Sequence, residues 1–288
     1  MTESRELKVA LEAADSAGEI VRGFYRQRFD VWQKSKDQPV TDADLAADKT
    51  LKSVLLGAFP NDGWLSEETA DSPERLSVRR LWVVDPIDGT KEFIRGIPEF
   101  SISIALVEDG QPIVGVIQNP VTGETFSAAR GKGASLNGQT IRATKTRRFA
   151  DALIMTSHRE VKAKRISAVK EEVRVKAVGS TAYKIALVAA GRCDLMVSFK
   201  PKNEWDVAAG VLIVEEAGGR VTDHEGNAFQ FNQPDTIRPN LLATNGLLHA
   251  AALRFIRDVN RRIDLGVTKP VQRPCRLKRP CRRVSSPP

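Results

Sequence analysis

Residues 81–93 read LWVVDPIDGTKEF, and four apolar residues run directly into Asp85 and Asp88, two carboxylates three positions apart. A buried carboxylate is costly and persists only where it is paired or bound to a metal. Three other segments end in acids. WLSEET puts Glu67 and Glu68 after a short apolar run, PVTDADLAAD puts Asp42, Asp44 and Asp48 at the start of a helical pattern, and NEWDVAAG puts Asp206 just before another. Singly, each has an ordinary explanation: an acid at a helix start caps free amides, and Asp85 with Asp88 can close a turn on local N–H groups. Four acidic element ends in one chain point further, to a site for hard divalent cations. Mg²⁺ prefers carboxylate, carbonyl and water oxygens and shares its shell with phosphate.

Competing motifs fail on spacing. An EF-hand loop counted from Asp85 would need oxygen donors where Ile87 and Gly89 stand. The Asp-x-Asp-Gly-Thr of haloacid-dehalogenase-type phosphatases is interrupted by Pro86 and Ile87. RGKGASLNG lacks the third glycine of a dinucleotide loop and the leading glycine of a P-loop, so it reads as a β-turn.

The elements that must carry these acids follow from periodicity. Helical spacing runs over 4–28 and again over 44–58. Strand patterns occupy 64–66, 81–84 and 100–110, where Phe100, Ile102, Ile104 and Leu106 alternate. QPIVGVIQNP pairs back across Glu108-Asp109-Gly110, and GETFSAARGKG adds a further strand. After RATKTRRFAD the rhythm changes. ALIMTS, VRVKAV, DLMVSF and GRVTD alternate with helices near 159–171, 181–191 and 207–217, and a last helix covers 246–262. The expected organisation is an α+β metal-binding subdomain over 1–148, an α/β subdomain over 149–262 and a basic tail over 263–288.

The net charge of +8 lies wholly at the C-terminal end: residues 261–288 hold nine Lys/Arg against Asp264, and the rest has thirty-five charges of each sign. The folded body is therefore not expected to bind nucleic acid. The tail, with five of the fifteen prolines, reads as a disordered appendage. A protein that grips an anionic polymer through this tail is the reading from another class. No run of about 18 apolar residues occurs, so no membrane span is expected. The N-terminus lacks the apolar core of a secretory signal, and three scattered cysteines fit a reducing cytoplasm.

The ordered set PVTDAD, SEE, DPIDGT and WDVAAG resembles the lithium-sensitive, magnesium-dependent phosphomonoesterase superfamily, from about residue 5 to 258. That superfamily includes inositol monophosphatases, bisphosphate nucleotidases and fructose-1,6-bisphosphatases. The resemblance implies a layered αβαβα sandwich of the α/β class, two or three Mg²⁺ ions, a small phosphorylated substrate and a possible homodimer. It implies that Glu67, Asp85, Asp88 and Asp206 are metal ligands, with the Ile87 carbonyl. Asp44 and Thr90 would orient the attacking water, Glu68 would assist, and Gly89 with Thr90 would offer N–H groups to phosphate.

DGTKEF and PKNEWD resemble the 3'(2'),5'-bisphosphate nucleotidases most, which favours 3'-phosphoadenosine 5'-phosphate as substrate. Inositol 1-phosphate or a broader range of sugar phosphates is the alternative. On that resemblance Lys184 stands near a second phosphate and Ser157 beside the nucleotide. Ser198 occupies the position of the nucleotidases' arginine. Lys200 or Lys202 is expected to replace it, as a point charge without the bidentate fork.

Overall fold

The alternation in 100–107 sends Phe100, Ile102, Ile104 and Leu106 to one face of a sheet and Ala105 and Val107 to the other. The computed structural model, which describes residues 4–35, 38–163 and 174–264, covers both faces with helices.

The chain opens with α1 (Arg5–Phe24), capped by Ser4, whose hydroxyl accepts from the Leu7 amide. An antiparallel ribbon follows, β1 (Val31–Ser35) and β2 (Gln38–Thr41), leading into α2 (Asp42–Ala58). Next come β3 (Gly63–Ser66), β4 (Arg80–Asp88), the short α3 (Thr90–Ile94), β5 (Ser101–Glu108), β6 (Gln111–Asn119), β7 (Glu124–Ala129), β8 (Ala134–Leu136) and β9 (Gln139–Ile141). These seven strands form one sheet in chain order, antiparallel except for β3 beside β4. Its tightest hairpins turn on Asp109-Gly110 and Asn137-Gly138, all four residues at positive φ, as a two-residue type I′ turn requires.

The second half runs β10 (Leu153–Thr156), α4 (His158–Lys162), β11 (Arg174–Ala177), α5 (Thr181–Ala189), β12 (Leu195–Ser198), β13 (Lys202–Asn203), α6 (Glu204–Glu216), β14 (Arg220–Thr222), β15 (Ile237–Arg238), β16 (Leu241–Thr244) and α7 (His249–Asp264). Its main sheet has the order β11-β10-β12-β16-β14. Helices α1 and α2 pack on Trp82, Val84, Ile102 and Ile104 of the first sheet. Helices α5 and α6 fill the space between the two sheets, against Val83 and Ile117 on one side and Met155, Met196 and Ala243 on the other. Helix α7 covers the far face through Ala252, Phe255 and Ile256. The layers are therefore αβαβα, as expected. Helix α6 lies so close to β6 that a Cβ on Gly115 would stand 2.8 Å from the Ala209 carbonyl.

The boundaries differ in ways that matter for the site. Helix α1 stops at Phe24, not 28, which leaves the chain free to form the β1–β2 ribbon beside the acidic residues. Helices α2 and α6 begin at Asp42 and Glu204, earlier than expected, so Asp44 and Asp206 lie inside first turns. The helix expected at 159–171 is seen as α4, and 164–173 lie outside the described residues, as does the tail from 265. The last helix starts at His249 and reaches Asp264. Strand β16 was not foreseen: four buried residues in the middle of a sheet show no alternation to read.

Where α7 begins, the His249 ring sits between the hydroxyls of Thr222 and Thr244, each 3.0 Å from one ring nitrogen. Burial holds its pKa down at about 4, against 6.5 for an ordinary histidine. The unfolded chain then takes up the proton first as pH falls, so this group's contribution is full above pH 6.5 and is lost below it. Between pH 7 and 5 the loss is about 2 kcal/mol. The His249→Gln variant should therefore lose less stability over that interval than the parent in urea titrations. Parallel losses in the two proteins would contradict the assignment.

Candidate metal centre and cleft

Two residues on one strand three positions apart normally face opposite sides. Asp85 and Asp88 escape this because β4 bulges between them. Asp85 pairs with Ser103 and Asp88 with Ser101, so two residues of β4, Pro86 and Ile87, oppose one of β5. Pro86 has no N–H to lose from the ladder, which suits it to the bulge. The Ile87 amide instead donates to Asp85 Oδ1 at 3.0 Å. Gly89 follows at φ 104°, a backbone that side chains rarely tolerate, and turns the chain into α3.

Glu67 arrives from the end of β3, whose parallel register beside β4 continues as the Glu67 amide donates to the Val84 carbonyl. Asp206 arrives from the first turn of α6, where its carboxylate also accepts from the Asn203 amide at 3.1 Å. One oxygen each of Glu67, Asp85 and Asp206 lies within 4.8 Å of the others. Asp85 Oδ2 is buried and has no hydrogen-bond partner. Burial first, and then the charges of Glu67, Asp88 and Asp206, hold the Asp85 carboxyl well above the usual carboxylate range. Asp206 is pushed up to about 7 by burial and by Asp88. Three converging carboxylates, one of them with a buried and unsatisfied oxygen, fit a divalent cation, which would remove both the repulsion and the missing bond.

Asp88 stands slightly apart. Its Oδ2 accepts from Ser180 Oγ at 2.7 Å and from the Ala182 amide at 2.6 Å, at the start of α5. Asp44 shares a capping box with Thr41, and its other oxygen accepts from Thr90 Oγ1 at 3.1 Å. The same hydroxyl lies 3.1 Å from the Ile87 carbonyl. Burial raises Asp44 to about 6. Glu68 is raised by burial to about 7, although Lys34 pulls the other way.

Lys34, on β1, escaped the sequence reading. Its ammonium lies 2.8 Å from both Glu67 and Glu68. Burial alone would lower its pKa, but the two carboxylates outweigh burial and raise it. The hint in the sequence was a lysine-bearing segment between two helices; no spacing tied it to residues more than thirty positions away. Asp48 lies among the helix-start acids in sequence, yet it faces the β3 end, accepting from the Ser66 and Thr69 hydroxyls and so bracing the turn that carries Glu67 and Glu68.

A cavity of 550 Å³ opens beside Asp88. Gly89, Ser157, Lys184, Lys200 and Lys202 line it, together with Lys91 and Arg159. An adjoining cavity of 330 Å³ contains Glu67, Ile87, Thr90 and Asp206, and shares Asp88, Gly89 and Lys202 with the first. Ser157 caps α4 through its hydroxyl. Lys184 is at the wall with its ammonium on the carbonyls of Val178, Gly179 and Ser180, so its hydrogen bonds are directed into the protein. The glycine-rich loop at 131–133 is remote in role: the Gly131 and Gly133 amides donate to the Glu216 carboxylate, both at 2.7 Å.

The structure is thus a five-layered αβαβα sandwich with an acidic centre where the end of its first sheet meets the middle helical layer. The model of the inositol monophosphatase family matches residues 3–261, and the chain belongs to that family. It is 37% identical over 263 residues to inositol monophosphatase 2 of Solanum lycopersicum, covering 87% of this chain and 97% of that protein. It is 35% identical over 222 residues to the fructose-1,6-bisphosphatase/inositol-1-monophosphatase of Thermotoga maritima, covering 76% and 83%. Among solved structures, a Thermotoga maritima IMPase superposes with a TM-score of 0.82 at 32% identity, covering 90% of this chain and 100% of that one.

Asp44, Glu68 and Asp206 hold their protons more tightly folded than unfolded. Without metal they favour the folded state at acid pH and lose that contribution as pH rises through 6 to 7. A cation held by Asp206 would compete with that residue's proton for the same oxygens, and ionised Asp44 and Glu68 nearby would favour the cation. The rise in Tm on adding Mg²⁺ should therefore be about twice as large at pH 7.5 as at pH 5.5 in thermal melts. An equal rise at both would show that Mg²⁺ does not use these carboxylates.

Proposed function

We propose that the chain is a Mg²⁺-dependent phosphomonoesterase acting on small polyol phosphates, with inositol 1-phosphate as the first substrate. The observation that carries this reading is the convergence of Glu67, Asp85 and Asp206 around an unsatisfied buried oxygen. Glu67, Asp85, Asp206, Asp88 and the Ile87 carbonyl would hold the ions, two or three of them. When bound, such ions acidify a water and offset charge on the leaving oxygen.

The chain's own groups do the rest. Thr90 and Asp44, already joined through the Thr90 hydroxyl, would fix the attacking water and take up its proton. A carboxylate raised to about 6 is well matched to proton transfer near neutral pH. Glu68 would assist from beside Lys34. Gly89 and Thr90, where the backbone turns into the cleft, would present N–H groups to the phosphate. Absence of a long apolar helix among the described residues and the cysteine usage suit an enzyme of a reducing cytoplasm.

The substrate preference drawn from DGTKEF and PKNEWD gives way to its alternative. Relatives named inositol monophosphatase align over nearly their whole length, and this outweighs two short motifs. Cleavage of a bisphosphate nucleotide is the second reading, supported by the cations of the larger cavity: Lys91, Arg159, Lys200 and Lys202. These could meet a second anionic group.

Phosphate release from inositol 1-phosphate should require Mg²⁺, stop with EDTA, and fall at least ~1,000-fold in Asp85→Asn. Release from 3'-phosphoadenosine 5'-phosphate with none from inositol 1-phosphate would shift the assignment to the second reading. No metal-dependent release from either would overturn both. If the nucleotide is cleaved, Lys200→Ala should raise its KM more than that of a monophosphate; equal effects would exclude a Lys200 contact with the second phosphate.

A further inference from the structure

Ser180 is the residue before α5 and holds φ at +50° with ψ at 133°, a region that side chains rarely occupy. Strain of this kind persists where surrounding contacts over-determine it. Here the contacts can be named. The carbonyls of Val178, Gly179 and Ser180 all accept from the Lys184 ammonium. The Gly179 amide donates to Glu99 at 2.7 Å. Position 179 has no room for a side chain: a Cβ there would lie 2.5 Å from Glu92 Cγ and 2.6 Å from the Glu99 carbonyl.

The turn so fixed presents two donors to one oxygen. Ser180 Oγ accepts from the Tyr183 amide at 3.0 Å and directs its proton to Asp88 Oδ2, while the Ala182 amide reaches the same oxygen. Ser101, paired with Asp88 across the sheet, places its hydroxyl 3.1 Å from Ser180 Oγ. The described hydrogen bonds of Asp88 thus all use Oδ2 and leave Oδ1 for a cation. Lys184 is buried, and burial holds its pKa down at about 8, close to neutrality. Nevertheless, with three carbonyls around it, it has the geometry of an ammonium whose hydrogen bonds shape a turn.

We infer that Ser180 and Lys184 are positioning residues for the metal centre: Lys184 folds the Val178–Ser180 turn, and the turn clamps Asp88 so that one carboxylate oxygen is fixed toward the site. This rests on the metal-dependent reading given above. It differs from a contact with substrate, because both residues act through Asp88.

The test is Mn²⁺ binding to the full-length metal-free chain, read from the free-ion signal in electron paramagnetic resonance, with Tm measured alongside. Ser180→Gly removes the hydroxyl and relaxes the backbone, so the fold should hold its Tm while Mn²⁺ binds about tenfold more weakly. Lys184→Met should weaken binding by ten- to a hundredfold, about the range for residues that orient metal ligands. The double variant should be no weaker than Lys184→Met alone, since the two act on one turn. Unchanged Mn²⁺ affinity in Ser180→Gly, or additive losses in the double variant, would overturn the inference and leave the metal-dependent reading intact. An unmodified chain that binds no Mn²⁺ would overturn both.

Discussion

Repulsion among buried carboxylates is the constraint around which the site is organised. Glu67, Asp85 and Asp206 place oxygens within 4.8 Å of one another, and Asp88 adds its charge to the same field. Left to themselves, such groups would separate or stay protonated. They are held by covalent attachment to rigid elements: a strand end, a bulge and a helix first turn. Each element is stabilised at a distance from the site, by Trp82 and Val84 under α2, by the middle helical layer, and by Ala209 against Gly115. The hydrophobic core thus supplies the free energy that keeps like charges together.

The same carboxylates also serve the local structure. Asp44 and Asp206 both occupy the third position of a capping box, and Asp85 accepts the amide of its own bulge. Each uses one oxygen or edge on backbone N–H groups and keeps another for the cleft. Capping and a place in the cleft are therefore compatible at these residues. A helix N-terminus favours negative charge by a fraction of a kcal/mol, which helps fix the side chain but is too little to neutralise a cluster. Lys34 contributes one positive charge where a divalent ion would bring two, and it sits at the edge, on Glu67 and Glu68 rather than on Asp85.

Much of this was legible in the sequence because the relevant signals are local. Alternation in 100–106 gave the faces of the first sheet, and acids at element ends, Glu67 and Asp85 after apolar runs and Asp206 just before a helix, pointed to one site. What was not legible depends on contacts distant in sequence. Strand β16 lies between two others and has no polar face to betray it. Lys34 and Ser180 matter only through partners about 33 and 92 positions away. Lys184 shows the limit most clearly: a lysine in an apolar helix reads as a cation for substrate, and only the turn it caps reveals where its three donors go.

The division of labour between the halves follows from the topology. Glu67, Asp85 and Asp88 come from the first sheet, whereas Asp206 and the clamp on Asp88 come from the two helices of the middle layer. Neither half alone assembles the set. Burial of α6 against the first sheet therefore sets how far Asp206 stands from Glu67 and Asp85, and a shift of the middle layer by an ångström would alter both distances. Close packing permits little such movement. Arg159 and Lys200 line the larger cavity from α4 and the 198–202 segment, while Lys91 and Lys202 also border the cavity that contains Glu67. The acidic centre and much of the basic wall are therefore built from different elements of the chain.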